Sequence, residues 1–131
     1  MTMTTELTVL ALAALLQAVQ FMAFSVAANR QVGAKVAMGP RDHAPALTGT
    51  AGRLQRALNN HFEGLILFTI AVLVVTLGGQ GSGVTAACAW IYLAARILYV
   101  PAYAYGWVPW RSVIWAVGFF ATMVMILAAL F

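Results

Sequence analysis

The sequence has very little charge. Only 8% of its 131 residues are Asp, Glu, Lys or Arg, 63% are hydrophobic, and the mean hydropathy is +0.92. Because soluble domains carry about a quarter charged residues, this composition excludes an ordinary soluble protein. It predicts a single integral membrane domain over residues 1–131, with no room for a separate soluble unit.

Cysteine, histidine and acidic residues are also scarce, with one, two and three copies. A lone Cys88 excludes a disulfide framework. Neither His43 nor His61 has a Cys or carboxylate at ligand spacing, so we expect no metal site. Ser112 has no neighbouring His in the sequence, so no hydrolytic triad is predicted. The net charge of +4 comes from basic residues that are not interleaved with aromatics in one solvated segment, and we therefore expect no nucleic-acid partner.

Four long apolar runs predict an all-α fold, an integral membrane bundle with helices at about 7–28, 53–77, 84–103 and 113–131. No Lys or Arg precedes the first run, so we expect a permanent helix rather than a signal peptide. Thr50 is the predicted cap of the second helix, and Pro101 is expected to end or kink the third. Residues 29–52 are expected to form a long polar loop, which is either functional or a solvated connector.

All seven basic residues lie in, or towards, the end of the bundle that faces the first and third loops. They are Arg30, Lys35, Arg41, Arg53, Arg56, Arg96 and Arg111. The positive-inside rule then predicts that these two loops are cytoplasmic.

The second helix opens with a polar stripe. At ~100° per residue, Arg53, Arg56, Asn60 and Glu63 fall within ~80° of arc on one face. Ionisable groups at membrane depth persist where they line a protein-filled or wet cavity and neutralise one another. The stripe therefore predicts a buried polar site.

A second polar face lies on the third helix, where Tyr99 and Tyr103 follow Arg96 at helical spacing. Arg111 and Ser112 precede the fourth helix at the same end. The excess of guanidinium groups over carboxylates predicts an anionic ligand, such as a small zwitterion with extra carboxylates. An arginine beside a bound thiol would favour its anion.

The segment Arg53-x-x-Arg56-Ala-x-x-Asn60-x-x-Glu63, together with Arg96-x-x-Tyr99-x-x-x-Tyr103, resembles the MAPEG superfamily of membrane-associated proteins in eicosanoid and glutathione metabolism. The chain is most similar to its bacterial inner-membrane branch, and the likeness covers nearly all of the sequence. The resemblance implies a homotrimer that binds glutathione between subunits near the cytoplasmic face.

The resemblance also implies roles for individual residues. Ten positions carry them: glutathione ligands at Arg30, Arg53, Arg56, Asn60, Glu63, Arg96, Tyr99 and Tyr103, and a catalytic pair at Arg111 and Ser112, with Arg111 stabilising the thiolate. Two positions depart from the leukotriene-forming branch, which has an aromatic residue at Gly64 and a polar one at Pro101.

Two functions from different classes follow. The first is a glutathione-dependent transferase or peroxidase that acts on a hydrophobic electrophile or lipid hydroperoxide arriving from the membrane. The second is a trimeric membrane scaffold, or a protein that binds lipid or glutathione without turnover, in which buried ionic groups specify assembly. A transporter or channel is disfavoured because the charge lies at one end of the bundle and does not continue across the membrane span.

Overall fold

The computed structural model describes residues 3–33 and 48–131 of the chain, and all regular structure within them is helical. The helices are α1 (Thr5–Val32), α2 (Gly49–Leu77), α3 (Gly83–Ala104) and α4 (Trp110–Leu130). Each is long and apolar enough to cross a membrane. The expected all-α chain with four membrane-spanning helices is confirmed. The predicted loop segment 34–47, with Lys35, Arg41 and His43, lies outside the described residues.

The helices are longer than the apolar runs that predicted them, mainly on either side of the first loop. α1 continues past Ala28 through Asn29 and Arg30 and ends at Val32. Gly33 caps it with a positive φ of 86°, and its N–H donates to the Asn29 carbonyl. Hydropathy marks where hydrocarbon ends, whereas a helix ends where its backbone is capped. The predicted polar loop at 29–52 is therefore too long at both ends.

The start of α2 is held by a side chain of α1 rather than by its own cap. Gln31 uses its amide group twice, accepting from the Thr48 N–H and donating to the Thr48 carbonyl, each at 2.9 Å. Thr48 is the capping residue and makes no side-chain bond to the helix, so the prediction of Thr50 as the cap was wrong. The paired bonds fix the chain entering α2 against the end of α1.

Pro101 lies inside α3, which continues to Ala104, so it does not end the helix. The proline lacks an N–H, but its carbonyl still accepts the N–H of Tyr105 at 2.9 Å. A proline in the last turn removes one helical bond without preventing the turn from closing.

The bundle is antiparallel, with α1 packed on α2 and α3, and α4 packed on the same two helices. The larger apolar core includes Phe68, Val72 and Met125, with small residues such as Ala71 and Ala89 where helices approach. A smaller cluster of Phe24, Ala28 and Leu58 lies towards the basic end. Small side chains allow close helix contact in a membrane, where packing rather than water exclusion drives association.

A buried carboxylate joins two helices at the end opposite the arginines. Thr85, fully buried at the start of α3, donates its hydroxyl to Glu6 Oε1 at 2.7 Å. The same hydroxyl accepts the Ser82 N–H and closes a capping box with Ser82. One threonine therefore caps α3 and satisfies the buried Glu6 of α1.

Replacing Thr85 with Val should lower the free energy of unfolding by about 1–3 kcal/mol, because Glu6 then loses its buried donor and the Ser82 N–H loses its side-chain acceptor. The matched control is Thr69→Val, since the Thr69 hydroxyl bonds only the Leu65 carbonyl of its own helix. Thermal unfolding in detergent measures both. Equal midpoints for the two variants would contradict a role for the Thr85–Glu6 bond.

Candidate functional site

The candidate site is built at the end of the bundle where α2 begins, α3 ends and α4 begins. The helices place Arg56, Arg96 and Arg111 on three different elements, and two tyrosines of α3 lie between them. We call these five residues the arginine–tyrosine cluster: Arg56, Arg96, Tyr99, Tyr103 and Arg111.

Tyr103 joins two of the arginines. Its hydroxyl accepts a hydrogen bond from Arg56 Nε at 3.0 Å, and the Arg111 guanidinium lies 4.8 Å from the centre of its ring. Tyr99 lies beside Tyr103, with the ring centres 5.6 Å apart. The Arg96 guanidinium carbon lies 4.6 Å from the centre of the Tyr99 ring. Two aromatic faces therefore stabilise cations for which residues 3–33 and 48–131 provide no paired carboxylate.

Arg96 is the most deeply buried arginine of the cluster, at 3% exposure. Its Nη1 donates to Asn60 Oδ1 at 2.9 Å, and its Nε donates to His61 Nδ1 at a longer 3.4 Å. A buried guanidinium needs acceptors for its five N–H groups, and these two bonds supply only part of that need.

His61 is a member of the site that the sequence did not reveal. It is fully buried, and its Nε2 lies 3.1 Å from the Ala13 carbonyl of α1. With Nδ1 accepting from Arg96, the two bonds fit the tautomer protonated on Nε2. His61 lies away from the polar stripe in angle, but α3 packs so that Arg96 reaches it. No spacing within the sequence indicates that contact.

Two predicted residues lie at the edge of the cluster. Arg53 donates from Nη1 to the Ala104 carbonyl at 3.2 Å, and the turn residue Gly106, at a φ of 68°, lies against its guanidinium. Arg30 lies exposed in the last turn of α1, and none of the hydrogen bonds or ring contacts that join the cluster in the described residues involves it.

Glu63 does not pair with an arginine as the polar stripe led us to expect. Within residues 3–33 and 48–131, no arginine nitrogen lies within 4.0 Å of a carboxylate oxygen, and Glu63 itself is exposed in the single chain. The stripe does share one face, but mutual neutralisation is absent from these residues. Positive charge therefore remains in excess at the site.

Two neighbouring cavities open beside the cluster. The outer cavity, of about 210 Å³, is lined by Asn60, Tyr99, Arg111, Ser112 and Trp115. The inner cavity, of about 190 Å³, is lined by Asn60, Glu63, Gly64, Leu67, Tyr92, Arg96, Trp115, Gly118, Phe119 and Thr122. Asn60 and Trp115 border both, so the two spaces are adjacent.

The MAPEG family matches residues 8–131, nearly the whole chain. The chain belongs to the MAPEG family. A search of curated proteins and a search of solved structures each gave no match.

Membership in the MAPEG family confirms the resemblance to that family that was inferred from the arginine and tyrosine motifs. MAPEG proteins associate with glutathione and lipids and typically form trimers, so membership supports a membrane function related broadly to glutathione or eicosanoids. With four membrane-capable helices, the chain is a multi-pass membrane protein.

We expect His61→Leu to destabilise the fold by about 1–3 kcal/mol, because it keeps the volume but removes the acceptor of the buried Arg96 Nε–H and the side-chain bond to the Ala13 carbonyl. Thermal unfolding of wild type, His61→Leu, Arg96→Met and the double variant gives a double-mutant cycle. His61→Leu should lower the free energy of unfolding less in the Arg96→Met background than in wild type.

Asn59→Leu provides the matched control, because Asn59 is the exposed neighbour on the same helix. Strictly additive effects of His61→Leu and Arg96→Met would show that His61 does not position Arg96.

Proposed function

We propose that the chain is a membrane-bound glutathione-dependent transferase or peroxidase, in which the arginine–tyrosine cluster and the outer cavity bind glutathione. One observation carries the proposal. Guanidinium groups from three helices converge on Tyr99 and Tyr103, and no described carboxylate lies within salt-bridge distance of them. A half-buried excess of positive charge favours a ligand that brings its own negative charge.

Glutathione matches this distribution of charge. It carries two carboxylates, one ammonium group and one thiol, and arginine binds carboxylates through paired hydrogen bonds. Glu63 is exposed, lines the inner cavity and pairs with none of the described arginines, so it can receive the ammonium group. The proposed ligands are Arg30, Arg53, Arg56, Asn60, Glu63, Arg96, Tyr99 and Tyr103.

Arg111 and Ser112 are the proposed catalytic pair. Both line the outer cavity, and the Arg111 guanidinium is held over the Tyr103 ring, with no carboxylate of residues 3–33 or 48–131 paired to it. A thiol bound beside it would release its proton to solvent more readily, because the neighbouring cation stabilises the sulfur anion. In transfer, the sulfur bonds to an electrophilic carbon while the bond from that carbon to its leaving group breaks and the electron pair departs with the group. In reduction, the sulfur bonds to a peroxide oxygen while the O–O bond breaks, the departing alkoxide takes up a proton to become an alcohol, and a second glutathione converts the resulting sulfenic acid to the disulfide and water.

The second substrate is proposed to be an apolar electrophile or a lipid hydroperoxide that enters from the membrane. Trp115 borders both cavities, and Leu67 and Phe119 extend an apolar wall into the inner one. These surfaces suit a hydrophobic molecule next to the polar thiol site.

We further propose that the protein is a homotrimer in a bacterial inner membrane, with loops one and three in the cytoplasm. The orientation is supported by the basic residues at a single end of the bundle. In a trimer, Arg30, which joins its own subunit's cluster through none of the described hydrogen bonds or ring contacts, is proposed to complete the site of a neighbour.

Arg111→Met should abolish the ultraviolet thiolate absorbance of bound glutathione and slow its conjugation to an aryl halide by about 100-fold, because the apolar stem is kept while the charge beside sulfur is lost. Both signals are measured on purified protein in detergent, with glutathione binding followed separately by calorimetry.

Arg53→Met is the matched control, since Arg53 contacts the Ala104 carbonyl at the edge of the site. It should weaken glutathione binding but preserve the thiolate absorbance per bound molecule. If wild-type conjugation is no faster than in buffer and is unaltered by Arg111→Met, the protein is a scaffold or a binding protein without turnover.

Glu63→Gln should weaken glutathione binding by about 10-fold, because the ammonium group loses a charged acceptor. Calorimetry gives the affinity, and size-exclusion chromatography with light scattering gives the oligomeric state. Dissociation of the oligomer with unchanged affinity would assign this carboxylate to assembly and not to the ligand.

A further inference from the structure

His61 is a buried polar side chain to which the proposed glutathione site gives no role. It is fully buried, so a ligand cannot touch it. Its two ring nitrogens nevertheless bond to two different helices, Nδ1 to Arg96 of α3 and Nε2 to the Ala13 carbonyl of α1. Any influence of His61 on a ligand must therefore pass through one of these two partners.

Arg96 is the partner that borders the ligand space. It lines the inner cavity, and a Cβ built on Gly64 would lie 3.8 Å from its Nη1, so the missing side chain at Gly64 leaves room beside this nitrogen. Asn60, which borders both cavities, accepts from the same Nη1 at 2.9 Å. The end of the Arg96 guanidinium is thus placed where protein meets cavity.

The hydrogen bonds of Arg96 leave part of its guanidinium for a ligand. A guanidinium has five N–H groups. His61 accepts from Nε and Asn60 accepts from Nη1, and no hydrogen bond within residues 3–33 and 48–131 uses Nη2. Nη1 and Nη2 lie side by side at the end of a guanidinium, an arrangement that matches the two oxygens of a carboxylate.

His61 helps to determine where that end points. The ring of Tyr99 covers one face of the guanidinium, which limits its tilt but not its rotation within its own plane. The bonds to His61 and Asn60 hold that rotation at two points. Without His61, the buried Nε–H has no acceptor, so another rotamer that satisfies it becomes favourable, and Nη2 moves with the rest of the group.

We propose that His61 is a positioning residue for glutathione. Its Nδ1 orients Arg96 so that Nη1 and Nη2 donate to a carboxylate of the tripeptide, whereas its Nε2 stabilises the fold by joining α2 to α1. The proposal rests on the proposed function, because that function assigns Arg96 to glutathione. The two nitrogens of one buried ring then have separate tasks, ligand affinity for Nδ1 and stability for Nε2.

Two substitutions separate the nitrogens. The side-chain oxygen of Asn lies the same number of bonds from Cβ as Nδ1 of His, so His61→Asn keeps an acceptor for Arg96 but loses the bond to Ala13. The amide nitrogen of Gln lies the same number of bonds from Cβ as Nε2, so His61→Gln keeps a donor for the Ala13 carbonyl but loses the acceptor at the Nδ1 position.

His61→Gln should weaken glutathione binding about 10-fold, because Arg96 no longer presents both terminal nitrogens to the carboxylate. His61→Asn should bind glutathione within about 3-fold of wild type. The unfolding temperatures should rank the other way, with His61→Asn the lower, because it loses the bond to α1 and leaves space unfilled. Calorimetry and thermal unfolding in detergent measure the two quantities.

Thr85→Val is the matched control. It removes a buried hydrogen bond at the end of the bundle opposite the arginines. It should therefore lower the unfolding temperature and leave the glutathione affinity unchanged. Glutathione affinity that follows the unfolding temperature across Thr85→Val, His61→Asn and His61→Gln would assign His61 to the fold alone and overturn the proposal.

A second measurement does not require glutathione. Nitrogen-15 NMR of arginine-labelled protein follows the Arg96 Nε–H, which is identified by its loss in Arg96→Met. Its exchange with solvent deuterium should be slow in wild type and His61→Asn, and about 10-fold faster in His61→Gln, where the proton has no acceptor. If wild type fails to bind glutathione, the proposed function fails. Equal exchange in the Asn and Gln variants would instead overturn the role of Nδ1 in holding Arg96.

Discussion

The structure depends on placing a guanidinium inside an apolar helical bundle. Arg96 is almost completely buried and is held by an amide of α2, by His61 and by the face of Tyr99. A buried cation is costly unless its donors find acceptors, so these neighbours are constrained by it. His61 in turn bonds the backbone of α1, and the requirement of one side chain thus extends across three helices.

This constraint divides the bundle into two unlike halves. One half has a contiguous apolar core around Phe68, Val72 and Met125, closed at its end by the Thr85–Glu6 bond. The other half has a smaller apolar cluster around Leu58, beside aromatic rings, arginines and two cavities. The larger apolar core and the arginine–tyrosine cluster therefore lie towards different ends of the same helices.

The sequence predicted the parts of the fold and site that depend on periodicity. Apolar runs predicted four helices, and the spacing of Arg96, Tyr99 and Tyr103 predicted a shared polar face, because residues three and four apart on a helix are neighbours. Family membership over residues 8–131 agrees with those motifs. Helix ends were less accurate, since hydropathy does not detect the Gln31 bonds to Thr48 or the capping at Gly33.

What the sequence did not predict depends on how helices pack. His61 meets Arg96 because α3 packs against α2 at this level, and Gly64 of α2 and Gly118 of α4 leave room beside the side chains of Tyr92 and Arg96. An added methyl group at Gly64 would meet its neighbours at ordinary contact distances, so alanine fits there without displacing them. During divergence, that exchange would change the shape of the inner cavity while the arginines and the backbone stay as they are.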